Sequence, residues 1–228
     1  MLSNDFDVIL LCETWLSNAF KSEEFFPTNY TVFRQDRYGD TENSNAMGGG
    51  LITAIRSELI VEKICAHRSG ADLLNIKVKC GDFWLFIVNL YIVSRCPDLV
   101  YLDFLDYVTK TILPLIRLTD KIVFIGDFNL FKIDWRVVGN DLFHTSSDVT
   151  SMFLLDKMSS FGCKQYNNIH NQHGRILDLV FSSDESLDIL SCDDLAEHTS
   201  IYHTTLWIKF YFPEITRSEE HTSELQSQ

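Results

Sequence analysis

Ile122-Val123-Phe124-Ile125-Gly126-Asp127-Phe128-Asn129 decides how this chain is read. Four apolar residues in succession, β-branched or aromatic, predict a buried strand that stops at Gly126. An acid and an amide then appear two apart, on the same side of the chain as it leaves the sheet. Asp127 and Asn129 therefore stand at the carboxyl end of a core strand, where α/β proteins commonly build their sites. A carboxylate can take a proton from water or hold a metal, and an amide can orient a phosphate or a nucleophile. Gly, Asp and Asn are also ordinary turn formers, so the octapeptide alone fits a functional strand end and a plain turn equally well.

Outward from this stretch the chain alternates strands with a few helices. Residues 83–91, Phe-Trp-Leu-Phe-Ile-Val-Asn-Leu-Tyr, give the strongest strand signal, ahead of a helix opened by Pro97. Leu99, Leu102, Leu105, Val108, Ile112 and Leu115 recur at helix-like spacings and predict the stripe that packs on the sheet. Upstream, strands are expected at 7–12, 30–34, 48–55, 60–65 and 72–78, with an exposed loop over 37–45. Downstream, a shorter helix is expected over 151–160, a strand over 176–181, and a last strand over 204–210 that closes the sheet. Residues 7–12 read as a fully buried parallel strand, which needs neighbours on both edges. Many strands and few helices in one domain give an α/β sandwich.

Composition narrows the class. The 228 residues are 46% hydrophobic and 13% aromatic, enough for a large core and against disorder. No apolar run reaches the roughly 18 residues of a membrane span, and no signal peptide is legible. Six cysteines are scattered without C-x-x-C spacing, so reduced thiols are expected in an intracellular setting, nuclear or cytoplasmic and not secreted. The formal charge of −13 opposes a broad phosphate-binding surface. DNA can still be bound if a metal ion and a few arginines line one cleft. Residues 217–228 have one leucine, no aromatic and no period, and resemble a translated sequencing-library adapter. They are expected to be a non-native polar tail, leaving 1–216 as the domain.

Five separated segments, in order, carry a resemblance: Leu11-Cys12-Glu13-Thr14-Trp15-Leu16, Asn89-Leu90-Tyr91, Gly126-Asp127-Phe128-Asn129, Gly174-Arg175-Ile176-Leu177-Asp178-Leu179-Val180 and Ala196-Glu197-His198-Thr199. Together they resemble the endonuclease/exonuclease/phosphatase superfamily, specifically the endonuclease domain of non-LTR retrotransposons, over roughly residues 5–212. The resemblance implies a four-layer α/β sandwich of the DNase I-like type, two mixed sheets flanked by helices. The family's opening strand and helix precede the Glu13 strand, so both are expected to be missing here.

The resemblance also implies roles. Glu13 binds Mg²⁺, with Mn²⁺ as the alternative ion, and Glu197 contributes to the metal in place of the family's aspartate. Tyr91 contacts the scissile phosphate, Asp127 activates or orients the attacking water, and Asn129 holds the phosphate. Asp178 orients the active-site histidine, His198, which donates to a phosphate oxygen. His67, His144, His170, His173 and His203 show no convincing ligand spacing. The implied activity is Mg²⁺-dependent nicking of double-stranded DNA to leave a 3′-hydroxyl that primes a linked reverse transcriptase. The alternatives are an inactive remnant, an abasic-site nuclease, or a phosphoinositide or sphingolipid phosphatase of the same fold.

Overall fold

The computed structural model describes residues 6–36, 49–68, 70–138, 141–192 and 202–212. Its centre is a six-stranded sheet built from β4 (Val61–Arg68), β5 (Ala71–Cys80), β6 (Phe83–Ile92), β7 (Lys121–Asp127), β10 (Lys164–Gln165) and β11 (Asp178–Ser182). The order is β10-β11-β7-β6-β5-β4, antiparallel except for the parallel β6–β7 pair. That pair needs a crossover, which α1 (Asp98–Tyr107) supplies.

Alternation along β6 divides the core. Phe86, Val88, Leu90 and Ile92 face one way and pack with α1 and with α2 (Val149–Ser160). Leu85 and Ile87 face the other way, towards a three-stranded antiparallel sheet of order β1-β3-β2, formed by β1 (Val8–Cys12), β2 (Tyr30–Gln35) and β3 (Leu51–Arg56). A separate ribbon of β12 (Leu187–Ser191) and β13 (Leu206–Phe210) adds to this second layer. Asn89, fully buried between the layers, clamps them: its amide donates to the Ile52 carbonyl at 2.9 Å. Both α-helices lie on one face of the six-stranded sheet, and the outer face of the three-stranded one is covered by Leu16 and Phe26.

Several expectations need correction. Residues 7–12 were expected as a buried parallel strand, but β1 is an antiparallel strand that, among the described residues, pairs only with β3 and exposes Leu11. An apolar run cannot tell an edge from a centre, because pairing is not written in composition. The last strand does not join the main sheet, since among the described residues β13 pairs only with β12. On α1 and the helical turns that continue it to Leu115, the buried residues include Tyr101, Phe104, Leu105, Val108 and Ile112, while Leu99, Leu102 and Leu115 are exposed. Those buried positions follow the i, i+3, i+4, i+7 pattern of one helix face, whereas steps of three drift around the helix. The hairpin of β8 (Asp134–Val138) and β9 (Asp141–Thr145) was not anticipated.

The strand of the opening stretch also runs further than expected, through Gly126 to Asp127. Gly126 pairs with Leu90 on one side and Leu179 on the other, at φ 151°. A Cβ there would lie 1.8 Å from the Leu90 carbonyl oxygen. The glycine lets β7 press against β6 up to its last residue, and so sets where Asp127 stands.

Candidate active site

Register places the candidate residues in one row. Tyr91 is opposite Asp127 in the parallel β6–β7 pair, and Asp127 is opposite Asp178 in the antiparallel β7–β11 pair. All three share the strand face that looks towards the second sheet, as do Ile87, Val123 and Val180. The row therefore opens at the ends of two facing sheets. Tyr91 and Asp127 are buried there, and Glu13, immediately after β1, reaches them from the opposite sheet. The Tyr91 hydroxyl donates to Glu13 Oε1.

The turn that carries Glu13 is pinned from below. The Thr14 and Trp15 amides donate to the Gly50 and Gly49 carbonyls, at 3.2 and 3.0 Å. The Gly50 amide donates in turn to buried Asp72 at 3.1 Å. Asp72 is Tyr91's neighbour on β5, so the row extends to a fourth strand. Gly50 has φ 90°, and a Cβ would meet the Thr14 hydroxyl at 2.8 Å.

Asp127 is held by its neighbour in sequence. Asn129, in the left-handed region at φ 52°, donates its backbone N–H to Asp127 Oδ1 at 2.9 Å and its amide to Oδ2 at 2.6 Å. The same amide nitrogen donates to the Ile92 carbonyl at 2.8 Å. Both amide hydrogens are thus committed, and the side chain fixes the carboxylate against β6. Asp178 Oδ2 lies 2.9 Å from His203 Nδ1, whose other nitrogen is 3.9 Å from Asp127 Oδ2.

The electrostatics follow from this crowding. Burial, then the Asp178 charge, pushes the Asp127 carboxyl up to about 7, against the opposing pull of His203 and the Asn129 amide. The hydrogen bond that His203 donates to Asp178 raises His203 to about 9, overcoming the effect of its burial. The imidazole is therefore a cation near neutral pH, with one N–H directed to Asp178. Asp127, Asp178 and His203 bring donor atoms within 4.8 Å of one another. Of these groups, the carboxylates are the hard oxygen donors that Mg²⁺ takes. Glu13 lines the same cleft as Asp127, so three carboxylates gather beside His203, an oxygen-donor set that suits a divalent ion.

Glu13, Tyr91, Asp127, Asn129 and His203 line one open cleft of about 690 Å³, together with Arg95, Phe131, Arg175 and Tyr202. Among the described residues, four non-glycines have positive φ, and three of them (Glu13, Arg95 and Asn129) line this cleft. Such strain persists only where surrounding structure over-determines it, and it gathers at functional sites.

The structure thus brings together Glu13, Tyr91, Asp127, Asn129 and Asp178. Glu197 and His198 lie outside the described residues, as does the 217–228 tail. The histidine that Asp178 holds is His203, which the sequence reading had set aside in favour of His198. Its signal was its place three residues ahead of an alternating strand, Leu206-Trp-Ile-Lys-Phe210. Asp72, Arg95 and Arg175 were not singled out as site residues; only pairing register and the cleft wall reveal them.

A family model described as endonuclease-reverse transcriptase matches residues 85–205, more than half of the chain. The chain belongs to that family. Family membership makes it an enzyme of the phosphodiester-hydrolysing class, within the endonuclease/exonuclease/phosphatase fold. No curated protein matches it. Among solved structures, the endonuclease domain of TRAS1, a telomere-specific non-LTR retrotransposon, superposes with TM-score 0.59 at 13% identity, covering 91% of this chain and 87% of that one. An AP endonuclease from Archaeoglobus fulgidus gives 0.56 at 16% identity, covering 90% and 88%. The AP endonuclease LMAP from Leishmania major gives 0.56 at 13%, covering 82% and 73%. These likenesses establish the DNase I-like α/β sandwich. Among the described residues no helix is long and apolar enough to cross a membrane.

Proposed function

We propose that this chain, with residues 1–216 as its domain, nicks double-stranded DNA by Mg²⁺-dependent hydrolysis. In the intact element it would be joined to a reverse transcriptase that uses the nick as primer. The observation that carries the reading is Asp127, buried at a strand end and flanked by Asn129, Tyr91 and a histidine that Asp178 keeps charged.

Water attacks phosphorus, and the P–O3′ bond breaks in line with it. The products are a 5′-phosphate and a 3′-hydroxyl, the leaving oxygen ending with a proton. Asp127 orients the water and accepts its proton, a task suited to a carboxyl lifted towards neutrality. His203, taking the role first given to His198, donates from its outer nitrogen to a non-bridging oxygen. Tyr91 turns its hydroxyl from Glu13 to the phosphate. Asn129 holds Asp127 in place. Glu13 is the first ligand for Mg²⁺, with Asp127 beside it and Glu197 the further carboxylate the family pattern expects. When bound, the ion offsets the negative charge that develops on the phosphate.

Nicking of supercoiled plasmid by the full chain tests this, with Mg²⁺ or EDTA and beside Asp127→Ala. Mg²⁺-dependent nicking lost in the variant supports it. A cooperatively folded protein that leaves plasmid intact is instead the inactive remnant.

A further inference from the structure

Phe131 stands where three clefts meet. It lines the catalytic cleft, a second cleft of about 270 Å³ that it shares with Trp135 and His173, and a third of about 260 Å³. Phe131 is 40% exposed, although Leu130 before it is buried in the helix-side core. Arg175 also lines the first two clefts, and Arg95 the first and third. A third link crosses the same boundary: Tyr202 lines the catalytic cleft, His173 lines the second, and their rings lie 5.0 Å apart.

The charges at this boundary differ from those elsewhere. Arg34, Arg117 and Arg136 are each held by an aspartate, and Arg56 lies over the Tyr30 ring. Arg95 and Arg175 are exposed and form no ion pair among the described residues. In a chain of charge −13, free guanidinium groups beside an uncovered aromatic ring mark a place for a partner that is both anionic and flat. A nucleotide is both.

We propose that Phe131 and Arg175 form a nucleotide subsite between the catalytic cleft and the second cleft. The base beside the scissile phosphate stacks on Phe131, and Arg175 holds the adjoining phosphate. This rests on the nuclease reading and deepens it, because a base can reach the ring only by leaving its own stack. The substrate class is therefore DNA that is single-stranded, mismatched or easily unstacked next to the nick.

The test is binding of the full chain in EDTA to a thymidine oligonucleotide of about 12 nucleotides, against an equally long abasic strand. Wild type should favour the base-bearing strand by about tenfold. Phe131→Ala should erase that preference without weakening binding to the abasic strand, and Phe131→Trp should keep it. Arg175→Ala should weaken both strands alike and lower the salt slope by about 0.7. A Phe131→Ala protein that still prefers bases, or a wild type that never does, overturns the subsite. Plasmid nicking, read separately with Mg²⁺, keeps the two ideas apart. Nicking without base preference sinks the subsite alone, and base preference without nicking sinks the nuclease alone.

Discussion

Asp178 lies directly opposite Asp127 where β11 pairs with β7, and His203 bonds the first while facing the second. The Asp178 charge raises the cost of ionising Asp127 on the neighbouring strand. A cationic imidazole between them answers both. The arrangement couples the sheet's register to the site's charge, so that each partner sets the protonation of the next.

Removing the Asp178 charge should therefore be visible at His203. In the metal-free protein His203 should titrate near 9, followed by its ring resonances in NMR. In Asp178→Asn it should fall towards the ordinary histidine value of about 6.5. Nicking should drop by about 100-fold or more, because the group facing the phosphate is then neutral and free to rotate. An unchanged titration would mean that Asp178 does not hold this ring.

The same shift fixes a stability trend. A histidine raised above its unfolded value stabilises fully below about pH 6.5 and loses that contribution as pH rises through about 9. Asp127, raised to about 7, acts in the same direction: the metal-free fold loses its contribution between about pH 4 and 7. Melting of the metal-free wild type should fall from neutral pH to pH 9 more steeply than that of His203→Gln.

A divalent ion should reverse the trend, since it needs Asp127 ionised. At about 100 times its Kd, Mg²⁺ should raise Tm by about 5 °C or more at pH 8, and by less at pH 6. Asp127→Asn and Glu13→Gln should each shrink the shift. This readout needs no turnover. Equal shifts at both pH values would place the ion away from Asp127.

Gly126 and Gly162 make a matched pair for the backbone argument. Both have positive φ, but an added Cβ at Gly126 strikes the Leu90 backbone, whereas at Gly162 it meets nothing within 4 Å. Gly162→Ala should cost about 1 kcal/mol, the strain of the left-handed backbone alone. Gly126→Ala should cost more than about 3 kcal/mol, because β6 and β7 must separate. Urea unfolding of both variants measures the difference.

What the sequence reveals follows from which positions are set by local pattern. Tyr91 and Asp127 stand at the ends of strongly apolar runs and Asp178 interrupts one, and period-two alternation relates their facing to Ile87, Val123 and Val180. Glu13 follows an apolar run in the same way, so local pattern places these four residues at strands, while their roles come from the family resemblance. Pairing is a different matter. That β1 pairs with β3, that β13 joins β12, and that Asp72 continues the Tyr91 row are long-range facts with no local trace. The β8–β9 hairpin did carry a signal, Gly139-Asn140 between two short runs, which is ordinary hairpin-turn chemistry. For the histidine, the sequence points to His198, which follows an acid in Ala196-Glu197-His198, whereas His203 has only a strand start to mark it.

That last difference yields the most decisive variant pair. If Asp178 orients the working imidazole, the contact to His203 at 2.9 Å makes His203→Ala the damaging change. Losing a charged donor to the phosphate should lower nicking by about 100-fold or more. It should also leave Asp178 without its partner, so Asp178→Asn should add little to His203→Ala. His198→Ala should keep activity within about threefold and should combine with Asp178→Asn additively, as independent sites do. Initial nicking rates for the three single and two double variants, at saturating Mg²⁺, separate the two assignments. Activity lost in His198→Ala but kept in His203→Ala would return the role to His198, leaving the His203–Asp178 pair as a structural tie between β11 and the residues leading into β13.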